Sequence, residues 1–464
     1  IKGTGTNRRL KKPETKMQER ILDLFKKTLN LDNIGIDESF FELGGTSLTA
    51  ARLMMAAMTD NLPVVFQDVF EHPTVEELSK LIEEKLGEES VILDIPSDEK
   101  VEPQNEEDQY SVLKYNTAEY VNEITPGDLG NVLLTGATGF LGIHILKELL
   151  CGHTNKIFCL VRSTRVSAGE RLKSTFFYYF DEIDIEAEDD RLVVIDGDIT
   201  DPESVKKLEE LDFDTVINCA ACVKHFAQPE YLKRINVYGV DNLIDLCIKK
   251  KARLIQLSTV SVAGDSFRDR GGRDILTEDR LEIGQEVESN GYVYSKYLAE
   301  KHVINAIASS GLDAKVIRLG NLMSRHVDGE FQINFHTNNF MNTLKSYVFM
   351  KSFPVQEMDE ADELSPIDEV ARAVLLLSGT DRKFTVFHAY NSHSIEMGDF
   401  IYALSESGFD ISVIGEDDFD RKLKEMVADE EHNHFVAPLI NYNLDDDALR
   451  IENGIENGFT VKAL

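Results

Sequence analysis

Thr135-Gly136-Ala137-Thr138-Gly139-Phe140-Leu141-Gly142 stands directly behind the apolar run Val132-Leu133-Leu134 and opens a helical stretch that continues to Leu150. Glycines at this spacing let a backbone turn tightly and come close to a pyrophosphate. The first turn of the following helix adds unpaired N–H groups and the positive end of its dipole. A lone glycine triplet says little. Between a strand and a helix it predicts a dinucleotide cradle built from Gly136, Thr138, Gly139, Phe140, Leu141 and Gly142.

Outward from this loop, short apolar runs alternate with helical stretches. Ile157-Phe158-Cys159-Leu160-Val161, Leu192-Val193-Val194-Ile195, Val216-Ile217, Leu254-Ile255-Gln256-Leu257 and Ala314-Lys315-Val316-Ile317 read as further buried strands. That alternation means βαβ units and an α/β fold with a Rossmann-type, doubly wound parallel sheet. The second strand ends at Val161-Arg162. A ribose 2′-hydroxyl is read by an acid at this place and a 2′-phosphate by a cation, so Arg162 favours NADPH over NADH. Arg171, on the next helix, is either a second phosphate clamp or a solvated helix position. Asp198-Ile199, after the third strand, is placed to flank the adenine. Ala220-Ala221, after the fourth, lets the backbone pass close under the cofactor.

Tyr292-Val293-Tyr294-Ser295-Lys296 puts Tyr292 and Lys296 at i and i+4, on one face of a helix. A phenol has an ordinary pKa of about 10 and transfers protons poorly at neutral pH unless a nearby ammonium stabilises its phenolate. Lys296 can do this and can also hydrogen-bond the nicotinamide ribose. Tyr294 and Tyr297 lack the spacing. In Leu257-Ser258-Thr259-Val260-Ser261, directly after a strand, a hydroxyl can hydrogen-bond the same oxygen that the tyrosine protonates. Thr259 is the candidate, with Ser258 and Ser261 as competitors whose plain role is to cap backbone groups. Loop, threonine and tyrosine–lysine pair occur in the order and on the elements of a short-chain dehydrogenase-type hydride-transfer site. Cys219-Ala220-Ala221-Cys222 has the spacing of a metal or redox pair but no second pair, and reads as core. His432-Asn433-His434 reads as solvated surface and Met54-Met55-Met58 as core of the N-terminal part.

The 464 residues carry 49 Lys plus Arg against 83 Asp plus Glu, a net charge of −34, which sets the surface against nucleic acid and anionic lipid. No apolar run approaches the ~18 residues of a membrane span, and no signal peptide opens the chain. Five cysteines argue for a reducing compartment, so a cytoplasmic location is expected. The chain begins at Ile1 and reads as a piece of something longer. Its organisation is expected to be a tail at 1–13, a small helical bundle at 14–87, an acidic linker at 88–125, the nucleotide-binding subdomain at 126–325, and a smaller, mostly helical substrate cap at 326–464.

Within the bundle, Gly44-Gly45-Thr46-Ser47-Leu48 puts a hydroxyl on a tight turn at a helix start, either as an N-cap or as a modification point. The run Phe40-Phe41-Glu42-Leu43-Gly44-Gly45-Thr46-Ser47-Leu48 resembles the attachment segment of acyl and peptidyl carrier domains, with Thr46 where Asp or His is usual. The whole chain resembles the thiolation-plus-reductase ending of a nonribosomal peptide synthetase, an ending shared by carboxylic acid reductases and aminoadipate reductases. Val316-Ile317-Arg318-Leu319-Gly320-Asn321, Ser365-Pro366-Ile367-Asp368-Glu369-Val370-Ala371 and Phe387-His388-Ala389-Tyr390-Asn391 are similar to segments of those reductases, with Leu319 replacing a proline.

The resemblance implies 4′-phosphopantetheine on Ser47, placed there by a phosphopantetheinyl transferase, and NADPH as the reductant. It implies Thr259, Tyr292 and Lys296 as catalytic residues, a carrier-bound acyl or peptidyl thioester as substrate, and upstream adenylation and condensation domains as partners. The implied reaction is reductive release as an aldehyde, which some members of the family reduce again to an alcohol. The competing readings are a redox-inactive cyclase, which typically lacks the tyrosine, and a docking module with a vestigial cofactor site.

Overall fold

The computed structural model describes residues 11–464 except 30, 32, 42, 46–48, 51–52, 54–55, 58–61, 63, 65–67, 70–71, 90–109, 124–125, 153–154, 164–165, 181–184, 186–189, 224–228, 268–274, 334, 336–337, 428–434, 437, 440–449 and 453. Ser47, the Met54-Met55-Met58 cluster, His432-Asn433-His434, residues 1–10 of the tail and residues 90–109 of the linker therefore lie outside the described residues. The chain forms two units. One takes in 1–99, 334–360 and 396–447, the other 100–333, 361–395 and 448–464.

In the first unit, helices α1 (Lys16–Leu29) and α2 (Val75–Glu89) turn apolar stripes inward. Each start is capped by a threonine: Thr15 Oγ1 accepts from the Gln18 amide, and Thr74 Oγ1 accepts from the Glu77 amide while donating to the Glu77 carboxylate. Ile21, Phe25, Ile36, Phe40, Leu53, Val69, Leu78 and Ile82 close a core of their own. Phe40 meets Phe25 edge to face at 5.0 Å and is fully buried. Its ring lies so close beneath Gly45 that a Cβ there would come within 2.3 Å of it, and Gly44 has φ +95°. The two glycines before Ser47 are thus required by the turn itself.

The second unit holds the sheet. Its strands are β1 (Val132–Thr135), β2 (Ile157–Val161), β3 (Leu192–Asp196), β4 (Thr215–Asn218), β5 (Arg253–Thr259), β6 (Ala314–Leu319) and β7 (Val386–Ala389). They run parallel in the order β7-β6-β5-β4-β1-β2-β3. Alternate residues feed two layers. Leu134, Cys159, Ile217, Ile255 and Ile317 face one core, and Leu133, Phe158, Val216, Leu254 and Val316 the other. Covered on both faces, the strands read as continuous apolar runs, except that β3, at the sheet edge, is half-buried rather than buried as expected. The order reverses between β1 and β4, which opens a crevice at their carboxyl ends.

The sheet does not end at the expected boundary at 325. Helix Ile367–Ser378 and β7 return to it from the far side of the cap segment, because Val386, Phe387 and Ala389 need the apolar edge that β6 offers. The last residues close over β7, Phe459 stacking on Phe387 at 5.5 Å. The cap, in turn, is built from two stretches rather than one. Helices Asn339–Met350, Met397–Glu406 and Glu416–Val427 share a core of Leu344, Tyr347, Phe353, Ile401 and Phe419.

The expected linker also ends earlier than 125. Tyr110–Leu113 forms a 3₁₀ turn whose Leu113 is 1 % exposed in the core of the second unit. The buried Asn116 side chain donates to the Glu278 carbonyl (3.2 Å) and Thr385 Oγ1 (2.9 Å) and accepts from the Thr385 amide (2.9 Å). Leu113 and Asn116 anchor the stretch, and Tyr110, Val112, Tyr115, Tyr120 and Val121 pack beside them. Leu113→Ala is expected to lower the unfolding free energy of the second unit by about 2–4 kcal/mol in urea; a loss below about 1 kcal/mol would show that this turn is not part of its core.

Candidate active site

Gly136 leaves β1 at φ +68°, and a Cβ on it would meet the Ala220 amide nitrogen and the Cys219 carbonyl carbon at 2.6 Å. A Cβ on Gly142 would meet the Gly136 oxygen at 2.1 Å. The loop is therefore pressed against the end of β4, with helix α3 (Phe140–Gly152) beginning behind it. Beneath it a buried polar ladder crosses three strand ends. Thr135 Oγ1 donates to Asn218 Oδ1 (2.5 Å), Asn218 Nδ2 to Gln256 Oε1 (2.8 Å), and the Ala220 amide to Asn218 Oδ1 (3.2 Å). A backbone cradle this tight at a helix N-terminus fits a pyrophosphate.

The other nucleotide candidates divide. Thr138 is half-buried and Gly139 exposed, but Leu141 is a core side chain that can offer only its backbone. Phe140 turns into an aromatic group with His144 (5.2 Å), Tyr179 (6.0 Å) and Phe331 (5.6 Å). Ile199 is likewise core. Ala220 and Ala221 are half-buried beside the loop. Arg171 Nη1 donates to the Arg162 carbonyl (2.8 Å), which brings the two guanidinium groups together. Burial, then the charge of Arg162, holds Arg171 below its ordinary value. Arg162 lies 3.4 Å from Asp198 and is 57 % exposed. Two cations against one carboxylate is a donor set suited to a phosphate dianion.

At the end of β5, Thr259 Oγ1 accepts from the Ser261 amide (3.1 Å) and donates to Ser261 Oγ (3.0 Å). Helix α4 (Gly291–Ser310) starts under an Asn290 cap that accepts from the amides of Tyr292 and Val293. Tyr292 is thereby held in the first turn, where its phenol hydrogen-bonds Thr259. Burial, then neighbouring Cys222, pushes that phenol up to about 12, with the Thr259 bond opposing. Lys296, one turn on, is 5 % exposed and donates through Nζ to the Leu257 carbonyl at 2.6 Å. Burial brings its ammonium down to about 8. Tyr297 is tied instead to Glu282 (3.0 Å). Ser258 is buried with no hydrogen-bond partner among the described residues. Cys222 is buried and Cys219 partly so, burial pushing the Cys219 thiol up to about 12.

Sequence reading missed Asn236, which sits in a π-turn (Arg234–Tyr238). Its amide accepts from the Cys222 N–H (2.8 Å) and donates to the Cys222 carbonyl (2.9 Å) and Ser295 Oγ (2.9 Å); Ser295 donates to the Tyr292 carbonyl (2.7 Å). The β4 exit is thus clamped to the turn that carries the phenol. The only signal was a polar residue within the apolar Ile235-Asn236-Val237. Glu363 was missed as well. Its carboxylate accepts from the Asn321 amide (2.5 Å), the Ser365 hydroxyl and the Asn391 amide (3.3 Å), joining three segments that are distant in sequence.

A glycine cradle at the switch point of a parallel sheet, with a tyrosine–lysine helix beside the next strand end, is the layout of a nucleotide-dependent oxidoreductase. Residues 134–374, just over half of the chain, match the NAD-binding family described as Male sterility protein, and residues 19–82 match a phosphopantetheine attachment site. The chain belongs to that NAD-binding family. It is similar over nearly its whole length to a thiolation-reductase di-domain from an archaeal non-ribosomal peptide synthetase (34 % identity, TM-score 0.74, 98 % of this chain and 94 % of that one). A linear gramicidin synthase of Brevibacillus parabrevis is 26 % identical over 94 % of this chain, and L-2-aminoadipate reductase of Schizosaccharomyces pombe is 28 % identical over 88 %. The chain spans only 8 % and 30 % of those two relatives. Among the described residues no helix is long and apolar enough to cross a membrane.

Removing the Asn236 side chain deletes both bonds to the Cys222 backbone. Asn236→Ala is expected to cost about 1–3 kcal/mol of unfolding free energy, measured in urea; a change within about 0.5 kcal/mol would dismiss the clamp.

Proposed function

We propose that this chain is the carrier and terminal NADPH-dependent reductase of a nonribosomal peptide synthetase, and that it releases a carrier-bound acyl or peptidyl thioester as an aldehyde. One observation carries the reading: a half-buried phenol, hydrogen-bonded to Thr259 with an ammonium one helical turn away, in a chain that also contains a phosphopantetheine attachment site. Ser47 would bear the prosthetic arm. Gly136, Thr138, Gly139 and Gly142 would hold the pyrophosphate, together with the backbone of Phe140 and Leu141. Arg162 and Arg171 would hold the 2′-phosphate, with Asp198, Ile199, Ala220 and Ala221 lining the adenosine side.

Bound NADPH supplies the hydride. Tyr292, kept protonated by burial, donates its proton to the thioester oxygen as negative charge develops there. Thr259 donates a hydrogen bond to the same oxygen. Lys296 offsets the charge left on Tyr292 and offers a donor to the nicotinamide ribose. Collapse of the resulting thiohemiacetal returns its hydroxyl proton to Tyr292 and breaks the C–S bond, freeing the aldehyde and the pantetheine thiolate, which takes a proton from water. Upstream adenylation and condensation domains would supply the acyl chain, and a phosphopantetheinyl transferase the arm.

The same residues serve the thiolation–reductase end of an aminoadipate or carboxylic acid reductase, which differs in substrate and not in chemistry. A redox-inactive cyclase or docking module has no use for the phenol–threonine–ammonium arrangement. With Ser47 loaded from a panel of acyl-pantetheines, NADPH absorbance is expected to fall as aldehyde forms, and Tyr292→Phe to lose at least about a hundredfold in turnover while still binding NADPH. Steady absorbance across the panel would refute the reductase reading, and full activity of the Phe variant would remove Tyr292 from it. Arg162→Ala is expected to weaken NADPH at least about tenfold more than NADH in fluorescence titrations; equal weakening would overturn the 2′-phosphate assignment.

A further inference from the structure

Arg318, Glu300 and His388 are among the most deeply buried ionisable side chains of the second unit, each 0 % exposed, and they take no part in the proton transfer itself. Arg318 lies in the middle strand of a row that runs Ser258, Arg318, His388 across β5, β6 and β7. Its guanidinium reaches α4, where Nε and Nη2 grip the Glu300 carboxylate at 3.0 and 2.8 Å. Nη1 donates to the Arg280 carbonyl (3.0 Å) and to His388 Nε2 (2.9 Å). His388 Nδ1 in turn donates to the Glu456 carbonyl (2.6 Å), so the ring is neutral, as burial and the Arg318 charge both favour. Glu300 stands four residues after Lys296, on the same face of α4.

We propose that Arg318 and Glu300 are positioning residues for the reaction: through Glu300, the guanidinium holds α4 at the depth that lets Lys296 reach the Leu257 carbonyl, and the Glu300 carboxylate keeps a negative charge one turn from the ammonium. The inference rests on the Tyr292–Lys296 assignment made above. Desolvation disfavours the ammonium, and Glu300 is the largest opposing influence, followed by Cys219. Arg318 is the positive partner that offsets the Glu300 carboxylate away from water. The C-terminal segment enters through His388, which turns its imidazole acceptor to Arg318 because the Glu456 backbone carbonyl accepts from its other ring nitrogen.

Other charges on elements packed against α4 are Glu230, Lys233 and Arg234 before α5 (Gly239–Lys250); Asp241, which meets His302 at 2.7 Å, with Asp245, Lys249 and Lys250 on α5; Arg253 on β5 and Lys315 on β6; and Glu282, which holds Lys301 at 2.7 Å. None of these is among the influences on Lys296.

Removing Glu300 and Arg318 together leaves no orphan charge but withdraws the nearer, negative one, so the Lys296 ammonium becomes harder to keep. In the full chain, Glu300→Gln/Arg318→Met is expected to remain folded in thermal melts. The alkaline limb of turnover and of NADPH affinity, read by nicotinamide fluorescence, should move to lower pH by roughly 0.5–1 unit. Arg318→Lys, which keeps the charge but not the two-pronged grip, is expected to lower kcat with the NADPH dissociation constant within about twofold. Limbs that superimpose on those of the parent in the folded double variant would overturn the proposal; should that variant not fold, an unchanged kcat and pH profile in Arg318→Lys would do so. If Tyr292→Phe retains full turnover, the functional assignment fails first, and the fluorescence limb still tests the coupling of Arg318 to Lys296.

Discussion

Everything at the carboxyl edge of this sheet depends on how closely two backbones approach. Where β1 gives way to α3, the chain passes within a hydrogen atom's reach of the end of β4, and only glycine permits it at position 136. The contact is fixed from below by Thr135, Asn218 and Gln256, which place three side-chain hydrogen-bonding groups in an otherwise apolar layer and satisfy one another. Because β4 is held there, its exit is also fixed, and with it Cys219, Cys222 and the asparagine clamp on the first turn of α4. The glycine loop and the tyrosine–lysine pair are consequently not two features that happen to be near each other. They share one strand end.

The second theme is the handling of charge without water. Tyr292, Lys296, Glu300 and Arg318 run from the half-buried first turn of α4 into the interior, and each member has a specific partner: threonine, a strand carbonyl, a guanidinium, a carboxylate. Burial raises the phenol and lowers the ammonium, and environments that perturb both groups of a pair in this way are characteristic of proton-transfer sites. Deeper in, where a lone charge would be costly, the pair is bidentate and its remaining donors meet carbonyls and a neutral imidazole.

Strands buried on both faces announce themselves as apolar runs, so β1, β2, β4, β5 and β6 could be read directly, and the half-buried β3 from the same apolar composition; the glycine loop and the tyrosine–lysine spacing are likewise local signatures. What escaped reading was non-local. Val386-Phe387-His388-Ala389 is an ordinary strand in composition, but nothing near it says that it returns to β6 after the cap has intervened. Leu113 and Asn116 sit in a polar stretch whose average character hides two anchoring residues. Asn236, Glu300 and Glu363 are polar residues whose importance comes from partners 14 to 59, 18 and 28 to 42 positions away. Periodicity carries no information about such partners.

The return of β7 and the closing of Phe459 and Thr460 over it also bear on how the chain is made. On the ribosome the N-terminal bundle has its complete core once residue 82 has emerged. The sheet, by contrast, lacks an edge until residue 389 and a cover for that edge until residue 460. Synthesis therefore completes the bundle well before the sheet, which stays open along one flank until this stretch of the chain is almost fully translated.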